Sequence, residues 1–313
     1  MTTGQPGEAL RVMACVCTYK RNEPLRLLLE RLAEIGDASA ERFRLGVVVV
    51  DDNPGGAAES VAMSFADRFP LGLQYRRSGK QNISLGRNIA IETGSEYGDV
   101  LVMTDDDCIP DLVWIDRLLD TWQRTGADSV SGPLVTELPE GAPAWIREQQ
   151  VFDFDHPQIP EGSRLEIGQT NNSLMDVAWL RAHPQHRFDP EYGRIGGEDM
   201  MFFHGAVRLG MRSVHSAQAI VRQHEPLEDL TYRAMLRARY WWGNSEAVTN
   251  VASGSAARPR VFARGAKRLL AAVAMPLKRL LARKSPRLRV ATMSAARAAG
   301  LMTGALGLRA NHH

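Results

Sequence analysis

Acidic side chains follow two apolar runs of the sequence. Asp51 and Asp52 come directly after VVVV, and three consecutive aspartates at 105–107 follow VLVM and one threonine. Neighbouring carboxylates stay ionised together only beside a counter-charge, and a hard divalent cation with oxygen ligands supplies one. Mg²⁺ or Mn²⁺ bound there would hold a diphosphate and neutralise the charge that develops as it leaves. The alternative is a polar turn in which Asp107 caps a following helix.

Alternating strand-like and helix-like segments must position these carboxylates. Apolar and β-branched runs predict strands, and apolar residues at helical spacing predict helices between them. The predicted strands are 11–17, 45–50, 73–77, 100–103 and 129–135, and the predicted helices are 22–36, 57–65, 85–91 and 114–122. This order predicts an α/β fold with a mostly parallel sheet flanked by helices. Ligands bind beyond the carboxyl ends of such strands, so we expect both aspartate clusters at one edge.

The pattern changes in the second half of the chain. Pro, Gly and charged residues dominate 138–163, which predicts a loop-rich excursion near a binding cleft. Regularity returns at 165–175, followed by a helix at 198–209, an extended segment at 213–221 and a helix at 227–242. A second acidic pair, Glu198 and Asp199, therefore opens a helix before an apolar segment. The apolar neighbours favour a general base with a raised pKa, although the pair could equally serve only the helix dipole.

Five motifs in a fixed order resemble glycosyltransferase family 2, whose members have the GT-A fold. The match runs from Val12 to about Asn244, and each motif alone would be a weak signal. Lys20 departs from the asparagine that many family members carry there. The motifs are Cys17-Thr18-Tyr19-Lys20-Arg21, Val50-Asp51-Asp52-Asn53, Gly86-Arg87-Asn88, Met103-Thr104-Asp105-Asp106-Asp107 and Gly196-Gly197-Glu198-Asp199.

The resemblance implies a site for a nucleotide-diphosphate sugar, with a UDP-sugar expected. Thr18 and Tyr19 would border the base, Asp52 would accept a bond from its ring N–H, and Arg87 would approach the base or a phosphate. Asp105 would hold the ribose, and Asp107 would coordinate Mn²⁺ or Mg²⁺ in the DxD arrangement. The residues implied to bind the donor are Cys17, Thr18, Tyr19, Arg21, Asp52, Arg87, Asp105 and Asp106.

The resemblance also implies a catalytic base and an inverted product. Asp199 would take the proton of the acceptor hydroxyl, with Glu198 as the alternative base or an acceptor ligand. His224 either reaches the metal or diphosphate, as in related enzymes, or is an ordinary loop histidine. Trp241 and Trp242 either stack on the acceptor sugar or pack at the end of their helix.

The C-terminal segment is strongly basic. No acid follows Glu246, whereas thirteen Lys and Arg residues do. Within 267–284 the apolar positions form one helical face, and a bend is expected at Pro276. This pattern favours contact of 258–289 with an anionic membrane surface, with packing on the catalytic domain as the alternative and nucleic acid disfavoured. The apolar face contains Leu269, Leu270, Val273, Leu277, Leu280 and Leu281, and the basic face contains Lys267, Arg268, Lys278, Arg279 and Arg283.

These features predict a catalytic domain at 1–246, with a donor half at about 10–135 and an acceptor half at 136–246, followed by a helical tail at 247–313. Three cysteines imply no disulfide framework, and neither a secretory signal nor a spanning helix is expected. We therefore predict a cytoplasmic enzyme, peripheral at the inner face of the cell membrane. It most resembles bacterial exopolysaccharide glucosyltransferases, which implies a saccharide acceptor, and the expected membrane location suggests that this acceptor is lipid-linked. The alternatives are a metal-dependent nucleotidyltransferase and a non-catalytic membrane adaptor.

Overall fold

The computed structural model describes residues 9–152, 159–166 and 168–310. Parts of the predicted loop-rich segment 138–163 and of the segment 165–175, and both ends of the chain, lie outside these residues. The described chain forms two compact units. The first takes in the described residues of Met1–Glu137, Gln158–Gly193 and Glu198–His224, and the second those of Leu138–Pro157, Arg194–Gly197 and Glu225–His313.

The strands all belong to the first unit. In chain order they are β1 (Leu10–Thr18), β2 (Phe43–Asp51), β3 (Leu73–Arg77), β4 (Val100–Thr104), β5 (Cys108–Pro110), β6 (Ser129–Ser131), β7 (Leu134–Glu137), β8 (Arg164–Leu165), β9 (Asn172–Asp176), β10 (Ser213–His215) and β11 (Val221–His224). The helices of both units are α1 (Asn22–Ala38), α2 (Glu59–Met63), α3 (Ile83–Tyr97), α4 (Trp114–Thr125), α5 (Ala144–Glu148), α6 (Val177–Ala182), α7 (Glu198–Arg208), α8 (Tyr232–Ala252), α9 (Arg258–Leu281) and α10 (Leu288–Ala305).

Within the described residues, eight strands form the main sheet, in the order β3-β2-β1-β4-β9-β6-β10-β8. β1 to β4 pair in parallel, β9 runs antiparallel between β4 and β6, and β10 is parallel to β6. The predicted α/β fold with a mostly parallel sheet flanked by helices is confirmed. The carboxyl ends of β1, β2 and β4 therefore share an edge of the sheet. The two aspartate clusters lie at this edge, one at the end of β2 and one after β4.

The apolar runs of the central strands are explained by burial on both faces. Along β1 the side chains of Val12, Ala14 and Val16 enter one core, and those of Met13 and Cys15 enter the other. The first core is completed by leucines of α1 and by α4, and the second by α3 and α7. A parallel sheet covered by helices on both faces has no polar side, so its strands read as continuous apolar segments.

One predicted strand is wrong. Residues 129–135 were expected to form a single strand, but β6 ends at Ser131 and β7 begins at Leu134 in a different, three-stranded sheet of order β5-β11-β7. The chain turns at Gly132, where a Cβ atom would lie 2.1 Å from the carbonyl oxygen of Ala219. In the smaller sheet β11 is parallel to β7 and antiparallel to β5, which places His224 opposite Glu137.

The second unit is helical. It contains α5, a 3₁₀ helix at Leu227–Leu230, and the long helices α8, α9 and α10. α10 approaches α8 so closely that a Cβ atom on Gly300 would lie 2.0 Å from the carbonyl oxygen of Tyr240. α8 runs without interruption through Glu246, so the predicted boundary after that residue falls inside a helix. As a functional division into catalytic domain and tail, it stays a prediction.

α9 is the predicted basic amphipathic helix, and it begins at Arg258, ahead of the stretch 267–284 whose periodicity predicted it. Its buried residues are Val261, Gly265 and Ala272, and Pro276 lies within the continuous helix. Five other large apolar side chains of α9 form what we call the exposed stripe, with exposed fractions from 57% to 78%: Leu270, Val273, Leu277, Leu280 and Leu281. Among the described residues, no helix has both the length and the apolar character needed to cross a membrane.

Candidate active site

The aspartates after β4 contact the last residue of β1 and the segment that follows it. Asp106 is buried, and its Oδ2 accepts a hydrogen bond of 2.8 Å from Thr18 Oγ1. Arg21 Nη1 donates to Asp106 Oδ1 at 3.1 Å and to Asp107 Oδ2 at 2.8 Å. The first and fourth motifs therefore meet, as adjacent parallel strands require.

The pKa values of this cluster reflect crowded carboxylates in a buried place. Burial raises the pKa of Asp106 to about 6, although Arg21 and the Thr18 hydroxyl lower it. Burial also raises the pKa of Asp105, the charges of Asp107 and Glu198 add to this, and Arg87 opposes it. Such a cluster attracts additional positive charge.

Arg87, on α3, joins two acidic segments that are distant in sequence. Its side chain is buried, and its Nη2 lies 3.5 Å from Asp105 Oδ1. Its Nη1 donates to Glu198 Oε1, at the first residue of α7. A buried guanidinium between two carboxylates holds both in place through charge-assisted hydrogen bonds. The end of β4 and the start of α7 are thereby brought together.

Asp199 differs from Glu198 in its surroundings. Glu198 is buried and ion-paired with Arg87, whereas Asp199 is half-buried and its Oδ1 accepts a bond of 2.7 Å from the N–H of Met200. Burial, followed by the neighbouring charge of Glu198, raises the pKa of Asp199 to about 6, against the lowering effects of Arg87 and the Met200 N–H. A carboxylate with a pKa near the working pH suits proton abstraction.

Asp52 organises the loop between β3 and α3. Its Oδ1 accepts from the Ser78 hydroxyl and from the N–H of Lys80 at 3.1 Å, and its Oδ2 accepts from the N–H of Asn82 at 2.6 Å. Asn82 then caps α3 by accepting from Leu85 N–H. The motifs do not identify Ser78 or Asn82, although an asparagine before an apolar helix is a recognisable cap. A carboxylate keeps acceptor capacity beyond these three bonds, so contact with a base remains open to Asp52.

Cys17 and Tyr19 lie at and beyond the end of β1. Burial raises the pKa of the Cys17 thiol to about 12, so it stays protonated, and all three cysteines are free thiols. The Tyr19 side chain is 39% exposed, with Lys20 Nζ 5.1 Å from its ring centroid. An exposed aromatic ring can stack on a planar base.

His224 ends β11 next to the aspartate cluster. Its backbone N–H donates to the carbonyl oxygen of Asp107 at 3.3 Å. Its Nε2 lies 3.5 Å from Glu137 Oε2, and its side chain is 56% exposed. The pairing of β11 with its neighbours thus brings a histidine distant in sequence beside the predicted metal ligand.

Comparison with known proteins assigns the family. Residues 13–217 match the model of glycosyl transferase family 2. The chain belongs to this family. It is 32% identical to the succinoglycan biosynthesis protein ExoM of Rhizobium meliloti, over 97% of this chain and 96% of that protein. It is 26% identical to the glucosyl-dolichyl phosphate glucuronosyltransferase of Haloferax volcanii, over 77% of this chain and 78% of that one.

Solved structures show the same fold. A mannosyltransferase from Pyrobaculum calidifontis, in complex with GDP-Man and Mn²⁺, aligns with a TM-score of 0.59 at 18% identity, covering 96% of this chain and 88% of that one. Staphylococcus aureus TarS 1–349 with UDP aligns with a TM-score of 0.52 at 14% identity, covering 96% and 92%. The predicted glycosyltransferase family and GT-A fold are confirmed.

The family 2 site offers ligands suited to a divalent cation. Among the described residues, no three His, Cys, Asp or Glu side chains are grouped as a ready ligand set. Asp106 and Asp107 nevertheless direct carboxylate oxygens at one cation, the guanidinium of Arg21. Mg²⁺-like ions are commonly held by one or two carboxylates together with substrate phosphates. The donor set therefore fits a site that a diphosphate completes.

Trp241 and Trp242 occupy different environments in the second unit. Gly196 has a φ of +82°, and a Cβ atom on it would lie 2.2 Å from Cζ2 of Trp241. Trp241 is therefore packed tightly against the segment that precedes α7. Trp242 is 39% exposed, and the guanidinium carbon of Arg239 lies 4.9 Å from its ring centroid. An acceptor-binding role for either residue stays a prediction.

Proposed function

We propose that this enzyme transfers a sugar from a UDP-sugar to a hydroxyl of a lipid-linked saccharide, in exopolysaccharide biosynthesis and with inversion at the anomeric carbon. The name of the relative ExoM supports the pathway class, and that of the Haloferax volcanii relative supports a lipid phosphate in the acceptor. The UDP complex of TarS supports the donor class.

One observation carries the proposal. Arg87 contacts Asp105, at the predicted metal and ribose site, and Glu198, which is adjacent to the predicted base. Two acidic segments with different tasks thereby lie on either side of one buried guanidinium. A transferase needs this juxtaposition, since the leaving group and the base act on opposite sides of the same carbon.

The donor side holds the leaving group. Asp107 and His224 would hold Mn²⁺ or Mg²⁺, Asp105 the ribose, and Asp52 and Tyr19 the base. When bound, the cation neutralises the negative charge that grows on the departing diphosphate. Asp106 is fixed by Thr18 and Arg21, and so positions the turn that carries its two neighbours.

The acceptor side supplies the base. Asp199 takes the proton of the acceptor hydroxyl while its oxygen bonds to the anomeric carbon and the bond from that carbon to the diphosphate breaks. Attack from the face opposite the diphosphate inverts the configuration. The raised pKa of Asp199 makes it a stronger base than an ordinary aspartate, and the ion pair with Arg87 reserves Glu198 for positioning.

The exposed stripe of α9 supports a location on the inner face of the cell membrane. Its five apolar side chains adjoin the exposed basic residues Lys267 and Lys278. Each large apolar side chain that enters the acyl boundary contributes about 1.5–3 kcal/mol, and the basic residues attract anionic headgroups. An enzyme held this way meets a lipid-linked acceptor at the surface where the lipid resides.

Calorimetric titration with UDP, GDP and dTDP, with and without Mn²⁺, tests the donor site. We expect Mn²⁺-dependent binding of UDP that Asp107→Asn abolishes. Asp120→Asn is the matched control, because Asp120 lies on α4 in an exposed ion pair with Arg42. Equal UDP binding by both variants, or release of pyrophosphate from a nucleoside triphosphate, would contradict the proposal.

The stereochemistry of transfer is tested separately. The anomeric coupling constant of the product, measured by NMR with an α-linked UDP-sugar, should be that of a β-glycoside. An α-linked product would rule out the inverting mechanism while leaving the donor assignment intact.

A further inference from the structure

A row of charged side chains on the smaller sheet leads to His224, and the proposed transfer reaction uses only that last residue. β11 is the middle strand of this sheet, and its Arg222 lies opposite Val135 of β7 and Ile109 of β5. Side chains two residues apart on a strand point to the same face, so Arg222 and His224 share a face. Glu137 is paired with His224 across the parallel strands and lies on that face as well.

Contacts along this row fix the carboxylate of Glu137. Arg222 Nε donates to Asp111 Oδ1 at 2.8 Å, and Arg222 Nη1 donates to Glu137 Oε1 at 3.2 Å. The other carboxylate oxygen, Oε2, lies 3.5 Å from His224 Nε2. An arginine that is itself anchored by an aspartate therefore sets the carboxylate so that Oε1 faces the guanidinium and Oε2 faces the imidazole ring.

The contact with Nε2 decides which atom of His224 is available to a cation. A neutral imidazole bears its proton on one nitrogen and has a lone pair for a metal on the other. A carboxylate beside Nε2 favours the proton there, which leaves the lone pair on Nδ1. The backbone N–H of His224 also donates to the carbonyl oxygen of Asp107 at 3.3 Å, so the end of β11 is tied to the predicted metal ligand.

We propose that Glu137 is a positioning residue for the metal site. It holds the His224 ring in the tautomer and orientation that leave Nδ1 for Mn²⁺ or Mg²⁺, and Arg222 holds Glu137. The inference rests on the proposed function, which it deepens by naming the residue that orients a metal ligand. Histidines that bind metals commonly donate their other ring N–H to a carboxylate, and loss of that partner weakens metal binding by about 10–100-fold.

The experiment is a titration of the full chain with Mn²⁺ at saturating UDP, followed by electron paramagnetic resonance. Glu137→Ala should weaken Mn²⁺ binding at least about tenfold. The Glu137 side chain is 38% exposed, and ion pairs this exposed add little stability, so the melting temperature should stay close to that of the wild type. Glu30→Ala is the matched control, because Glu30 is a glutamate on α1 that also pairs with an arginine, Arg26.

A double-mutant cycle with His224→Ala decides how Glu137 acts. If the carboxylate acts through the imidazole ring, Glu137→Ala in the His224→Ala background should change Mn²⁺ affinity by less than about twofold. An equal loss in both backgrounds would show that the charge of Glu137 acts directly on the cation. That result, wild-type affinity in Glu137→Ala or in His224→Ala, or equal losses in Glu137→Ala and Glu30→Ala would each overturn the inference.

The failure of this inference and that of the proposed function are told apart by Asp107→Asn. If Asp107→Asn abolishes UDP-dependent Mn²⁺ binding while Glu137→Ala does not weaken it, the donor site stands and only the role of Glu137 falls. If the wild-type chain binds no Mn²⁺ with UDP, both fall. Transfer rates give a second readout, because a higher Mn²⁺ concentration should restore most of the activity of Glu137→Ala, which a damaged fold would not allow.

Discussion

Replacing Glu198 by glutamine should have two separate effects that follow from its contacts. Glu198 is 8% exposed and paired with Arg87, which is 7% exposed. The substitution keeps the shape of the side chain and removes its charge. Arg87 loses its shorter ion pair and keeps only Asp105, at 3.5 Å. Asp199 loses the neighbouring negative charge that contributes to its raised pKa.

Both effects have a predictable size or sign. Breaking a buried ion pair by removing one partner costs about 3–5 kcal/mol, and we expect about 3 kcal/mol because Asp105 remains. The melting temperature should fall by roughly 6–12 °C. The base must be deprotonated, so kcat/KM falls as the pH falls through the pKa of Asp199, which is about 6. In Glu198→Gln that pKa moves down toward the ordinary value, and the fall in kcat/KM moves to lower pH.

Thermal unfolding and the pH dependence of kcat/KM with a UDP-sugar measure the two effects. Asp199→Asn is the control for stability, since it removes the base without removing the ion pair with Arg87. It should be nearly as stable as the wild type and almost inactive. If Glu198→Gln melts at the wild-type temperature, the ion pair does not hold the site together. If the fall of kcat/KM at low pH occurs at the same pH in Glu198→Gln as in the wild type, Glu198 does not act on the pKa of Asp199.

Four further changes test other parts of the structure. Asp199→Asn should lower kcat by about 10²–10⁴ while leaving UDP affinity unchanged in calorimetry. Arg21→Gln should raise the affinity of the nucleotide-free enzyme for Mn²⁺ about fivefold in an electron paramagnetic resonance titration, because the guanidinium lies 2.8 Å from Asp107 Oδ2 and competes for it. Gly300→Ala should cost about 1–3 kcal/mol in urea unfolding, since its Cβ would lie 2.0 Å from the α8 backbone. Leu270→Gln should weaken sedimentation with phosphatidylglycerol vesicles about tenfold, because this side chain is 72% exposed.

Local patterns in the sequence predicted the first half of the fold. β3 has the predicted bounds, and β1, β2 and β4 differ from theirs by at most two residues at either end, because continuous apolar runs mark strands that are buried on both faces. The break at Gly132 was not predictable, since the close neighbour is Ala219, far along the chain. The short elements β5, α5 and α6 were also missed, as they carry too few residues to show a period.

The sequence predicted which residue types lie at the sheet edge of the candidate site. It did not predict the contacts among their side chains. The motifs indicated that Asp105 and Glu198 belong to one site, but nothing local shows that both contact Arg87. Likewise, the resemblance to the family implies that Asp52 meets a base, whereas its three hydrogen bonds to the 78–82 segment arise from the tertiary path of the chain. Roles that depend on partners distant in sequence are therefore decided by packing.

The same reasoning explains why the convergence of arginines around Glu246 was not predicted, although the basic helix was. The periodicity of α9 is local, but Glu246, Arg268 and Arg297 come from three helices. They converge because α10 lies against α8 at backbone distance, which glycine permits at Gly300. That approach brings Arg297 to Glu246, beside Arg268. A larger side chain at residue 300 should therefore weaken the ion pair between Arg297 and Glu246 and lower the free energy of unfolding in urea, while calorimetric binding of UDP stays unchanged.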